Sequence, residues 1–188
     1  GKPSGVVLFV EHDPPVVTVS RRANAAQHVL AGPEELLRLG IERVETDRGG
    51  DVTYHGPGQL VVYPIIDLNL LELRIHGYIR LLEHAAIETC AAFGVAADRD
   101  CDATGVWVST SAAKIAAIGV RVSRWITMHG IALNVTTNLD HFKAIVPCGL
   151  HGRSVTSLQQ ELGAAAPSIA EVKVVFEARL RELLADPS

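Results

Sequence analysis

Two apolar-rich runs lie almost end to end, at residues 114–123 (KIAAIGVRVS) and 125–135 (WITMHGIALNV), with only Arg124 between them. Each has the length and the Val and Ile content of a strand, and so short a joint lets them pair only as an antiparallel hairpin. That commits the chain to an antiparallel sheet. Further Val- and Ile-rich runs at 5–10, 15–19, 41–46, 59–68 and 105–109 are read as strands that join it. Two stretches carry helical spacing instead. Across residues 75–93 apolar side chains recur at Ile79, Leu82, Ala86, Cys90 and Phe93, and Gly94 is placed to end the helix in a left-handed cap. Pro167 and Ser168 open another, with Ser168 and Glu171 at capping-box spacing ahead of Val172, Phe176, Leu180 and Leu183. Residues 33–39 are expected to form a short helix. With no repeat and no long linker, the prediction is an α+β fold in one domain, residues 1–188.

Composition narrows the function. With 48% hydrophobic residues, 20% charged and a net charge of -4, the sequence describes a soluble globular protein, and nothing in it suggests nucleic acid. No apolar run approaches the roughly 20 residues that span a bilayer, and the N-terminal stretch lacks the order of a secretory signal, so a cytoplasmic location without membrane partners is expected. Cys90, Cys101 and Cys148 are too few and too irregularly spaced for a disulfide framework or a zinc site, so no metal is expected. The chain has four lysines against thirteen arginines, which makes a lysine inside an apolar strand notable.

Four segments carry chemistry. Residues 48–59, RGGDVTYHGPGQ, pack four glycines and a proline around Thr53, Tyr54 and His55. Missing Cβ atoms let backbone approach a ligand closely, although a pair of turns bracketing a strand explains the pattern equally well. Phosphate-cradling motifs are absent. In residues 114–120, KIAAIGV, strand alternation puts Lys114 on one face with Ala116, Ile118 and Val120. Desolvation there is expected to lower the lysine pKa toward the range of a base, the alternative being a strand-end lysine that reaches water. In residues 129–135, HGIALNV, His129 is expected to share a face with Ile131, Leu133 and Val135, while Gly130, Ala132 and Asn134 make room on the other for a long thin ligand. A satisfied core histidine is the alternative for His129. Residues 146–152, VPCGLHG, place Cys148 in a turn between Pro147 and Gly149, accessible to a partner. Cys90 lies on a helix stripe, and Cys101 sits among acidic side chains that raise its pKa.

These four segments, in this order, resemble the octanoyltransferases of lipoic acid synthesis, the lipoyl(octanoyl) transferases. The resemblance implies the fold of the biotin and lipoate protein ligase superfamily, a central mixed, mainly antiparallel sheet with packed helices. It implies transfer of an octanoyl group from octanoyl-acyl carrier protein to a specific lysine of lipoyl domains in 2-oxoacid dehydrogenases and of the glycine cleavage H protein. By the same resemblance Cys148 is the acylated nucleophile and Lys114 its base, without a cofactor. The implied substrate-binding residues are Arg48, Gly49, Gly50, Asp51, Val52, Thr53, Tyr54 and His55, then Ala117, Ile118 and Gly119, then Gly130, Ile131 and Ala132. His129 and the Gly149 amide are possible helpers, the latter as an oxyanion donor. Arg21, Arg22, Arg124, Lys143 and Arg153 are the cations expected to dock acidic partners. An ATP-dependent lipoate protein ligase of the same superfamily is the rival reading, and Cys148 argues against it.

Overall fold

The computed structural model describes residues 5–146 and 153–186. Among the described residues nine strands form: β1 (Gly5–Val10), β2 (Val16–Ser20), β3 (Glu42–Thr46), β4 (Val52–His55), β5 (Gln59–Ile66), β6 (Ala97–Arg99), β7 (Val106–Val108), β8 (Lys114–Ser123) and β9 (Ile126–Asn134). The α-helices are α1 (Pro33–Arg38), α2 (Ile75–Ala92), α3 (Leu158–Leu162) and α4 (Ile169–Ala185). Six strands make one sheet in the order β1-β5-β9-β8-β7-β6, each neighbour antiparallel. The other three make a second sheet, β3-β2-β4, in which β2 runs parallel to β3 and antiparallel to β4. The mixed pairing therefore sits in the smaller sheet.

The β8–β9 hairpin turns through two residues. Arg124 (φ 49°) and Trp125 (φ 65°) are both left-handed, as a tight turn matched to strand twist requires, and Ser123 pairs with Ile126 across it. Trp125, expected in the strand, belongs to the turn. The helix boundaries follow their local chemistry: Gly94 (φ 84°) follows α2, and Ser168 with Glu171 makes a complete capping box at the start of α4.

Leu82, Ala86 and Cys90 of α2 and Phe176 and Leu180 of α4 pack with Leu60, Val62, Ile115, Ile131 and Leu133 of the large sheet. Each such large aliphatic or aromatic side chain removed from water stabilises the fold by about 1.5–3 kcal/mol. A separate core behind the small sheet joins Val17, Val19, Leu36, Val52, Tyr54 and Phe142. With helices on one face of the large sheet, its other face is left to meet the small sheet. Where β5 carries Pro64, which has no amide to give, Thr127 mends the ladder. Its buried hydroxyl accepts from the Ile66 amide at 3.0 Å and donates to the Pro64 carbonyl at 2.7 Å. Among the described residues no helix is long and apolar enough to cross a membrane.

Candidate active site

The two sheets enclose a cleft of about 500 Å³. Its floor is Ala117, Ile118 and Gly119 of β8 and Gly130, Ile131 and Ala132 of β9, and its opposite wall is Val16, Thr18, Glu42, Val44 and Thr46. Ala117 pairs with Ala132 and Gly119 with Gly130, so small residues face each other across the ladder and leave the floor low. The glycine-rich segment docks on this floor backbone to backbone. The Gly49 amide donates to the Val120 carbonyl at 2.9 Å, and a Cβ on Gly119 would lie 2.8 Å from the Gly49 oxygen.

The RGGDVTYH segment divides between the cleft and its supports. Arg48, Thr53 and His55 line the cleft. The buried Arg48 guanidinium also acts as a bracket: Nε donates to Thr18 Oγ1 at 3.0 Å, and Nη atoms donate to the carbonyls of Thr18, Gly49 and Asp51 at 2.8–3.0 Å. Val52 and Tyr54, both fully buried, point into the small-sheet core instead, where the Tyr54 hydroxyl bonds His141 Nδ1 at 2.8 Å. Asp51 is buried and paired with His28. Gly49 and Gly50 shape the turn, Gly50 with φ 90°.

Lys114 does not follow simple alternation. Val106 pairs with Ala116 but the next residue, Trp107, pairs with Lys114, which leaves Ile115 as the extra residue of a bulge. Ile115 and Ala116 then both enter the main core. Lys114 instead lines a small cavity with Thr53, Gln59, Ala117, Ala132 and Asn134, the first, third and fourth of which also line the cleft. The expected face shared with Ala116, Ile118 and Val120 is therefore corrected: the bulge turns Lys114 to the cleft side. Nor does it reach water. It is 5% exposed, its amine donates to the Thr104 carbonyl at 3.1 Å and lies 4.7 Å from the Trp107 ring centre.

His129 is corrected for a related reason. Ile131, Leu133 and Val135 face the core as expected, but His129 has φ 59° and lines the cleft. Its Nε2 donates to Asp47 Oδ1 at 2.9 Å, and Asp47 also pairs with Arg121. Burial, with Arg48 and Arg121 nearby, holds the imidazole below its ordinary pKa. His55 is fixed more tightly. The Gln59 amide nitrogen donates to the Tyr54 carbonyl at 3.2 Å and to Asn134 Oδ1 at 2.8 Å, so its oxygen must accept from His55 Nδ1 at 2.7 Å. Burial lowers the His55 pKa to about 4, so the ring is neutral at pH 7 with Nε2 as its acceptor atom. Asn134 continues the chain by donating to the Thr156 carbonyl at 2.9 Å.

Sequence reasoning missed three contributors. His12 and Tyr63 line the cleft, bonded to each other at 3.0 Å, with His12 stacked on His55 at 5.3 Å between ring centres. Burial lowers the His12 pKa and raises that of Tyr63. Asp47 precedes the glycine-rich segment and orients His129. A histidine beside the Pro14-Pro15 turn was the available sign for His12.

Cys148 and Gly149 lie outside the described residues. The two described thiols are poor nucleophiles. Burial in α2 pushes Cys90 up to about 12, and Asp102 beside the exposed Cys101 raises its pKa. Two of the expected docking cations are already matched to acids, Lys143 to Asp140 at 2.6 Å and Arg153 to Asp100 at 2.7 Å.

Residues 1–181 match the family model for the lipoyl protein ligase A/B catalytic domain. The fold agrees. A structure described as a lipoate protein ligase from T. acidophilum with bound lipoic acid superposes with a TM-score of 0.79 at 18% identity, over 98% of this chain and 74% of that one. The bipartite lipoate protein ligase of Thermoplasma acidophilum, studied with its E2 lipoyl domain, gives 0.69 at 17% identity over 98% and 81%. In sequence the octanoyltransferase of Bacteroides fragilis (strain YCH46) is much nearer, 50% identical over 182 residues, covering 95% of this chain and 80% of the relative. The chain therefore belongs to the lipoyl protein ligase A/B catalytic-domain family, in its octanoyltransferase branch.

Proposed function

We propose that this enzyme moves an octanoyl group from octanoyl-acyl carrier protein to a lysine of lipoyl domains and of the glycine cleavage H protein, in the cytoplasm, through a thioester on Cys148 with Lys114 as base. The observation that carries this reading is the placement of Lys114. It is buried beside a cleft floored by small residues, and its backbone is bridged to Val155, just after the Cys148 segment. The Lys114 amide donates to the Ser154 carbonyl and the Thr156 amide to the Lys114 carbonyl, both at 2.9 Å. On the other side, the Val146 amide donates to the His28 carbonyl at 2.7 Å. The described residues that flank the Cys148 segment are thus both held by backbone hydrogen bonds, Val146 by His28 and Ser154 by Lys114 itself.

In the first step Lys114 takes the Cys148 proton, sulfur attacks the carrier thioester, and the carrier thiolate leaves and takes that proton from the Lys114 ammonium, which restores the base. One thioester replaces another, so no ATP is needed. In the second the acceptor amine attacks, a C–N bond forms, the Cys148 thiolate leaves, and Lys114 accepts the amine proton. A free thiol with pKa near 8.5 is only a few per cent thiolate at pH 7, which is the deficit that the base makes up.

Intact mass spectrometry after mixing with octanoyl-acyl carrier protein tests this. The wild type should gain one octanoyl group and Cys148→Ser none. Lys114→Ala should acylate slowly near pH 7 and recover partly at higher pH. No adduct on the wild type, an adduct at another cysteine in the mutant, or pyrophosphate release from ATP and free octanoate would refute it. The last result would favour the ligase chemistry of the fold relatives.

A further inference from the structure

A base must be aimed without being neutralised by whatever aims it. Residues 100–105, joining β6 to β7, achieve this at one remove. The Thr104 carbonyl accepts from the Lys114 amine at 3.1 Å, and a Cβ on neighbouring Gly105 would lie 2.6 Å from the Ala116 oxygen and 3.3 Å from Lys114 Cε. Three ties hold this loop in place. Glu83, 1% exposed on α2, accepts from the Gly105 amide at 3.3 Å; Trp107 Nε1 donates to the Ala103 carbonyl at 3.0 Å; and Arg153 donates to Asp100 at 2.7 Å. The two carboxylates in these ties are matched by guanidinium, Glu83 by Arg80 and Arg99 at 2.7 and 3.2 Å, and Asp100 by Arg153. The loop atom that the lysine amine bonds is a carbonyl oxygen. It accepts from an amine in either protonation state, whereas a carboxylate there would favour the ammonium.

Arg153 closes the arrangement. Its guanidinium lies 3.5 Å from the centre of the Trp107 ring that also contacts the Lys114 amine, and it directly follows the segment that carries Cys148. We propose that Asp100 and Arg153 are positioning residues that clamp residues 100–105 across Trp107 and so aim the Lys114 amine. The role in catalysis rests on the acyl-transfer reading above; the aiming of Lys114 does not.

The test uses Asp100→Asn and Arg153→Ala, at side chains 23% and 30% exposed whose ion pair contributes little to folding. Acyl-adduct formation should be roughly 10- to 100-fold slower than wild type near pH 7, and within about twofold of it near pH 9.5, where the thiol ionises unaided. In parallel, reductive methylation followed by peptide mass mapping reports the amine itself, with exposed Lys173 as reference. Lys114 should be methylated several-fold faster in both variants. A loss equal at every pH, or unchanged Lys114 methylation, overturns the proposal. If the wild type takes no acyl group while the methylation contrast holds, the acyl-transfer reading fails and the aiming of Lys114 stands.

Discussion

Gly119→Ala tests how the cleft floor is built. A Cβ at this position would lie 2.8 Å from the Gly49 oxygen and 3.1 Å from Arg48 Cδ, where ordinary contact begins at 3.4 Å. Arg48 has little room to yield, because its guanidinium is committed to Thr18, Gly49 and Asp51. The Gly49 backbone must then retreat by about 0.6 Å, stretching its 2.9 Å bond to Val120 to the edge of hydrogen-bond range. Overpacking costs about 1–3 kcal/mol and the weakened bond up to about 1 more, so a loss of about 2–4 kcal/mol is expected. For a chain of this size that lowers the melting temperature by about 5–15 °C, measured by circular dichroism alongside urea unfolding. Gly94→Ala is the control. Gly94 has φ 84° but nothing within 4 Å of a Cβ, so only left-handed strain of about 1–2 kcal/mol applies. If Gly119→Ala costs no more than Gly94→Ala, close backbone approach is not what Gly119 supplies.

His55, with its pKa lowered to about 4 from 6.5, makes the fold acid-sensitive. Between those values the unfolded chain binds a proton that the folded chain refuses, so stability falls as pH drops, by about 3 kcal/mol once pH 4 is reached. His55→Asn should flatten the slope of unfolding free energy against pH by about 1.4 kcal/mol per unit in that window, read from urea midpoints; an unchanged slope refutes the assignment. Thr127→Val should cost about 1–3 kcal/mol by leaving the Ile66 amide and Pro64 carbonyl unpaired, while Thr127→Ser should recover most of it; equal stabilities of the two variants would sink the ladder-mending role.

Local chemistry made much of the fold legible. The Ser168–Glu171 box, the glycine after α2 and the 114–135 hairpin each rest on neighbours in sequence, and each appears in place. Pattern reading failed where the backbone leaves its regular path. A bulge at Ile115 and a left-handed His129 each turn a side chain to the cleft that strict alternation assigns to the core. Both displaced side chains are polar, and burial among apolar neighbours without a partner would have been costly, so polarity inside an apolar strand was the available sign. Glu83 offered the same sign on a helix. It adjoins Leu82 on the apolar stripe of α2, and its partners Arg80, Arg99 and Gly105 come partly from loops that no period describes. The parallel pairing of β2 with β3 was equally invisible, because it depends on a crossover and not on composition.

The cleft is asymmetric in what it permits to vary. Its floor is made where main chains meet at Gly49, Gly119 and Gly130, and a Cβ on Gly130 would lie 2.1 Å from the Val62 oxygen. No side chain can be added there without moving strands. The opposite wall presents Val16 and Val44, whose side chains can be lengthened or trimmed while the ladder stays whole. Descendants of this protein, natural or engineered, that come to prefer a longer or shorter guest are expected to carry their changes on the valine wall and to keep the glycines untouched.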